Sequence, residues 1–412
     1  MDDPVVRLPS ELIIDIFLHC LPDDSYPSLH GGAAPVLLTH VCRSWRALAL
    51  SVSSLWSSFE IDFHSGYAVP RLEALEFWLK YSEEQPLSFN IIYEPPTHTT
   101  CRAFQDQSTT VVKALLHYSS RWQKVRFVTP GASVLPLFTD QSRASGLHSL
   151  EVLTLDMRGV WPSHRVALRS LGIQWSRLSE LHVRLDCAVK ELPTLDEIFD
   201  ILSEGENLIT CSFNAMCSFT SGPDPTRISM AKLQRLSLTL RVTLGSEACF
   251  GHFLESLDVV ALRVLCIECI DDLNGQNWNG CHSSILSCLR SAMIRELQLY
   301  YLPLSTIGII DILDATPALE RLNLKFDRGD KDRDPVDNVL FQHIPQSRAL
   351  RALDIECNGG KLNCKAVTDI VELDMLERFY LATFDSICNC PDPHWEKERN
   401  GGADIQLRHF RF

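Results

Sequence analysis

The sequence predicts an α/β fold in which a short helical segment at the N-terminus precedes a stack of strand–helix repeats, parallel strands on one face and helices on the other. Two observations carry that prediction: an apolar triplet spaced L-x-x-L-x-L recurs along the chain, and helix-periodic stretches lie between its copies. Composition agrees. The 412 residues are 45% hydrophobic and 22% charged, which is ordinary for a folded protein with a sizeable interior.

The helical segment covers residues 1–56. Pro9 suits a first helical position, where a missing N–H costs nothing, and Glu11 favours the positive end of the helix dipole. Leu12, Ile13, Ile16, Phe17, Cys20 and Leu21 follow at steps that paint one apolar face. Leu37, Val41, Trp45 and Leu48 do the same for a second helix. Between the two, DDSYPSLHGGAA (residues 23–34) reads as an inserted loop, with Pro27, Gly31 and Gly32 marking irregular backbone. Two stripes this short cannot build a large core, so they must pack on each other and on something else.

The repeats occupy residues 57–383. Triplets stand at Leu150/Leu153/Leu155, Leu178/Leu181/Val183, Leu208/Cys211/Phe213, Leu233/Leu236/Leu238, Leu262/Leu265/Ile267, Ile294/Leu297/Leu299, Leu319/Leu322/Leu324, Leu350/Leu353/Ile355 and Leu376/Phe379/Leu381, at steps of 25 to 32 residues. Residues 194–205, 247–258, 283–291 and 306–315 read as the intervening helices. Such a unit cannot cover its own apolar face, so neighbours must stack into a continuous interior, a curved solenoid. A globular βαβ protein would explain the alternation but not nine triplets at nearly one period. Backward, Trp122/Val125/Phe127 and Trp56/Phe59/Ile61 fit the template, and residues 71–85 and 86–92 supply a helix and a strand. Trp56 thus belongs to both the helical segment and the first repeat, and the two are expected to share a core. Residues 93–100 and 327–335 read as surface loops. Residues 384–412 read as a C-terminal cap with a last strand near 405–410.

Leu8, Pro9, Glu11 and Leu12, then Ile16 and Phe17, then Val41-Cys42-Arg43 with Trp45, and finally Leu55-Trp56 form an order of anchors that resembles the F-box. The triplets behind it resemble the divergent leucine-rich repeats of fungal F-box proteins. The chain departs from both patterns: the 23–34 insert is longer than most F-boxes carry, and no regular Asn follows each strand. The resemblance implies a noncatalytic substrate-recognition subunit of a cullin-RING (SCF-type) ubiquitin ligase. An SKP-type adaptor, and through it a cullin, would dock on a set drawn from Leu8, Pro9, Leu12, Ile13, Ile16, Phe17, Leu21, Val41, Cys42, Trp45 and Trp56. A target protein would lie on the repeat surface and be ubiquitinated by proximity. The alternatives are an F-box scaffold outside any ligase and a thiol-dependent enzyme.

In leucine-rich repeats the residues between the apolar strand positions face the concave surface. Here they include Lys124, Arg126, Asp156, Glu180, His182, Glu268, Glu296, Asp354 and Glu356. The sharper subset for substrate recognition is Arg184, Arg235, Tyr300, Arg321, Lys325, Arg378 and Tyr380, because Arg and Tyr are enriched at interface hot spots. That face is expected to be less acidic than the whole chain, whose net charge is −14. The charge argues against nucleic acid or anionic membrane as a partner.

Catalytic and metal signatures do not assemble. No G-x-S-x-G, Walker loop, H-E-x-x-H or strand-to-helix G-x-G-x-x-G occurs. Asp330, Asp332 and Asp334 alternate like an EF-hand opening, but Pro335 and Phe341 replace the required Gly and Glu, so a solvated acidic loop is the better reading. Cys266 and Cys269 should point to opposite faces of a strand and so cannot share a zinc ion. Cys388, Cys390 and His394 lack an evident fourth ligand. No cofactor is expected. The acidic N-terminus has no basic start or clean apolar run, and no stretch approaches a membrane span, so a cytoplasmic or nuclear location is expected, with most of the 15 cysteines reduced.

Overall fold

In a computed structural model of the chain, the first helix, α1 (Ser10–His19), starts directly after Pro9. Pro9 is its N-cap, one place earlier than the sequence suggests, and its carbonyl accepts from the Leu12 and Ile13 N–H groups. The structure describes residues 8–23, 25–29, 31–63, 72–93, 102–130, 146–158, 168–185, 192–219, 227–243, 245–270, 279–326, 334–372, 376–384 and 404–409. The expected second helix is two helices, α2 (Leu38–Val41) and α3 (Arg43–Ser51), because Cys42 between them is extended, with φ −156° and ψ 173°.

The chain divides into two compact units, Met1–Leu192 and Pro193–Phe412. In the first, strands β1 (Ser58–Asp62), β2 (Leu87–Ile92), β3 (Trp122–Pro130), β4 (Val152–Arg158) and β5 (Glu180–Leu185) pair in order, every pair parallel. Helices α4 (Leu72–Tyr81) and α5 (Arg102–Leu116) connect β1 to β2 and β2 to β3. The sequence reading had not assigned α5. Between β4 and β5 the described residues form two 3-10 turns, Leu168–Leu171 and Trp175–Arg177, where a helix is the usual element.

The second unit repeats the plan with α6 (Leu195–Glu204), β6 (Thr210–Met216), β7 (Ile228–Ser229), β8 (Arg235–Arg241), α7 (Glu247–Glu255), β9 (Leu257–Asp258), β10 (Val264–Cys269), α8 (Asn279–Ser291), β11 (Glu296–Tyr300), α9 (Thr306–Ala315), β12 (Arg321–Lys325), α10 (Asn338–His343), β13 (Ala352–Cys357), α11 (Cys364–Val371), β14 (Arg378–Thr383) and β15 (Asp404–His409). Strands β6, β8 and β10 to β15 pair in parallel, while the two-residue β7 and β9 pair with each other. The last strand begins one residue before its expected position.

Register explains why the triplet recurs. Phe59, Phe89, Val125, Leu153 and Leu181 are successive cross-strand partners in the first unit. Leu236, Leu265, Leu297, Leu322, Leu353 and Phe379 are in the second. All residues of the eleven triplets are buried. Each large apolar side chain taken from water contributes roughly 1.5–3 kcal/mol, so a ladder of matched positions supplies the drive that no single unit has. The helix starts are specified locally. Ser305 accepts from Gly308 N–H, Asp337 from Val339 and Leu340, and Asn363 from Ala366. Neighbouring helices are clasped through His282 and Asp311 at 3.0 Å and through His343 and Asp314 at 2.9 Å.

Candidate functional site

The N-terminal helices sort their anchors into two groups. Phe17 and Trp56 are fully buried, and the Phe17 ring packs tilted, at 60°, against that of Trp45 with centroids 4.9 Å apart. Trp56 packs on Trp78 of α4 at 5.2 Å, and its Nε1–H donates to the Ala49 carbonyl at the end of α3. Trp122 donates in the same way to Leu115 at the end of α5, also seven residues back. The helix α3 therefore stands to β1 as a repeat helix stands to its strand, and the helical segment shares a core with the first repeat. Ile13, Leu21 and Trp45 are half-buried; Pro9 and Cys42 are exposed, with the Cys42 thiol accepting from Trp45 N–H. Leu8, Leu12, Ile16, Leu37 and Val41 are left facing solvent, from 40% exposed at Leu8 to 57% at Val41.

The insert is not a bare loop. Ser28 bridges in parallel to Glu60, whose N–H donates to the Pro27 carbonyl at 2.8 Å, and Leu29 is buried. These residues cover the outer edge of β1, where unpaired backbone groups would otherwise invite another strand.

The predicted recognition residues all lie on strand faces turned away from the buried ladders. Arg184 belongs to the first unit and is exposed. Arg235, Tyr300, Arg321, Lys325, Arg378 and Tyr380 belong to the second. Three of their cations are tied to a carboxylate one strand away: Arg321 to Glu296 at 2.9 Å, Lys325 to Glu356 at 3.0 Å and Arg378 to Asp354 at 3.0 Å. Lys325 also lies over the Tyr300 ring at 5.3 Å. Burial pushes the Tyr300 phenol up, and the charges of Glu268, Asp354 and Glu356 push it the same way. A recess of about 250 Å³ opens between two of the ion pairs, bounded also by Asn323, Tyr380 and Gln406. Tyr301 was missed by strand alternation, which assigns it inward. Its φ of +59° turns it out to 39% exposure beside Tyr300.

Asp334 overturns the reading of its loop as solvated. It is buried, its carboxylate accepts from Val336 and Gly359 N–H, and its carbonyl accepts from Lys361 Nζ. Burial raises its pKa, partly offset by those bonds and by the charge of Lys361. Asp330 and Asp332 lie outside the described residues, as do Cys388, Cys390 and His394. Among the described residues no group of three or more His, Cys, Asp or Glu is placed to hold a metal ion, and no helix is long and apolar enough to cross a membrane. Cys269 is buried and Cys266 half-buried on opposite faces of β10, as alternation requires. Burial pushes the thiols of Cys217 and Cys281 up to about 12 and that of Cys288 up to about 11. Cys364 is disulfide-bonded.

No family model matches this sequence, and no curated protein does. Among solved structures, the crystal structure of a TLR13–ssRNA13 complex is similar at 14% identity and a TM-score of 0.29, over 73% of this chain and 47% of that one. The chain thus spans about half the length of that protein. The repeat architecture rests on the parallel ladders themselves: each unit is a leucine-rich-repeat-like array of parallel strands.

Proposed function

We propose that this chain is a noncatalytic substrate receptor of an SCF-type ubiquitin ligase, docking an SKP-type adaptor through its N-terminal helices and holding a target protein on its strand faces. One observation carries the reading. Leu8, Leu12, Ile16, Leu37 and Val41 stay in solvent while Phe17 and Trp56 fill the interior beneath them, an arrangement that suits an apolar surface awaiting a partner. The F-box-like order that includes Leu8, Leu12, Ile16 and Val41 points to an SKP-type adaptor as that partner. Catalysis would then be positional, through the raised local concentration of target lysines.

Co-purification tests this. The intact chain is expected to bring down adaptor and cullin together, and Leu12→Asp with Val41→Asp to lose both. Adaptor without cullin would instead favour a scaffold acting outside a ligase. Phe17→Asp is unsuitable as a probe because Phe17 is core. The thiol-enzyme alternative is tested by alkylation of the native protein: exposed Cys20 and Cys42 should label before Cys211, Cys217, Cys281, Cys288 and Cys357, which burial keeps as protonated thiols at neutral pH. Rapid labelling of any buried member would count for an enzyme.

A further inference from the structure

Charge on the strand face of the second unit is not evenly neutralised. Arg321, Lys325 and Arg378 each have a carboxylate on the neighbouring strand. Arg235 does not, because its cross-strand partners are Thr210 and Val264. Arg263 stands immediately before Val264, with its backbone N–H donating to Gln234, the residue before Arg235. Both arginines are exposed, and neither has a side-chain ion pair or hydrogen bond among the described residues. The opposite imbalance lies at the other end of β10. Glu268 accepts from the Thr239 hydroxyl at 3.1 Å, yet no cation among the described residues pairs with it. It lies in register with Tyr300, whose ring already carries the Lys325 ammonium at 5.3 Å and has a second face for another cation. Between the two ends β10 itself is neutral, with Val264 and Cys266; Ser237 and Gln298 flank Cys266, and the carboxylate level with Val264, Glu296, is taken by Arg321.

We propose that β10 with its neighbours is a bipolar docking track for an extended protein segment. A carboxylate of that segment would be held by Arg235 and Arg263, and a basic side chain by Glu268 and Tyr300. Arg235 is level with Val264, four residues before Glu268 on the same face, about 13 Å at the usual rise of ~3.3 Å per residue. The segment's own charges should therefore be about four extended residues apart, an even step that turns both toward the track. Planar guanidinium forks favour carboxylate geometry, and desolvation by the docked chain strengthens both ends. The track deepens the proposed function, since it rests on the strand face being where a target sits.

The test titrates labelled synthetic peptides, each with an acidic pair and an arginine at a graded spacing, onto the full chain. Affinity should peak near the four-residue spacing and weaken with added salt. Arg235→Glu with Arg263→Glu should weaken that peptide about fivefold or more. Adding Glu268→Arg should make the chain prefer the charge-swapped peptide. Affinities that ignore spacing, that survive both reversals or that are undetectable throughout would overturn the track. So would tight binding of a phosphoserine peptide that Glu268→Arg leaves unchanged. Leu12→Asp with Val41→Asp, run in parallel, separates the two proposals: it should abolish adaptor co-purification and leave the peptide curves alone.

Discussion

The N-terminal helices and the strand face of the second unit are both outward surfaces, built from opposite materials. On the helices, large apolar side chains stand in water at a sizeable cost, which a constitutive partner would remove by covering them. The strand face carries charges that are mostly paired with their own neighbours, so it stays soluble alone and gives a partner only a few unbalanced positions to grip. One surface is made to be covered, the other to discriminate. Beneath each lies a buried support, and the predictions separate support from surface.

Trp56→Ala removes the ring shared by α3, β1 and α4 together with its bond to Ala49. We expect a loss of about 3–5 kcal/mol in urea unfolding, and adaptor binding should fail with it. Unchanged stability would mean that the helices and the first repeat do not share a core. Asp334→Ala strips the acceptor from Val336 and Gly359 N–H, at about 2 kcal/mol. Because burial raises the pKa of Asp334 above its ordinary 3.8, the folded state holds this proton more tightly than the unfolded one. Its contribution to stability is therefore most favourable at low pH and declines as pH rises from 3.8 through the raised value. Asp334→Asn should flatten that slope, and an unaltered profile would refute the assignment.

Smaller effects belong to the surfaces. Arg378→Ala breaks an exposed pair with Asp354 and should cost no more than about 1 kcal/mol. A larger loss in thermal unfolding would make the strand face structural and not a recognition surface. Leu12→Asp with Val41→Asp should change stability least, within about 0.5 kcal/mol, while removing the adaptor entirely. That contrast with Trp56→Ala is the sharpest test of which anchors dock and which hold the fold.

Much of this was legible beforehand. Helix α9 lies where its residues were read, and every triplet position is buried because a period-2 strand pattern leaves only one face for the ladder. Helix α5 was missed since RAFQDQSTTVVKALL is weakly apolar in its first half. Cys42 split an expected helix, although its neighbours keep helical spacing. Tyr301 was not singled out, because strand alternation assumes φ stays negative and its φ is +59°.

By itself, the sequence determined the repeat, its phase and the side chains of the strands that leave the core. These depend on local periodicity, which chain order preserves. Only the tertiary structure decided which anchors are interior, that Pro27 to Leu29 closes the edge of β1, and which arginines keep an unspent charge. Each of those depends on what the neighbouring strand or helix presents at the same height. Strand residues that meet in space there are some 25 to 32 positions apart in the chain, so their pairing is set by stacking.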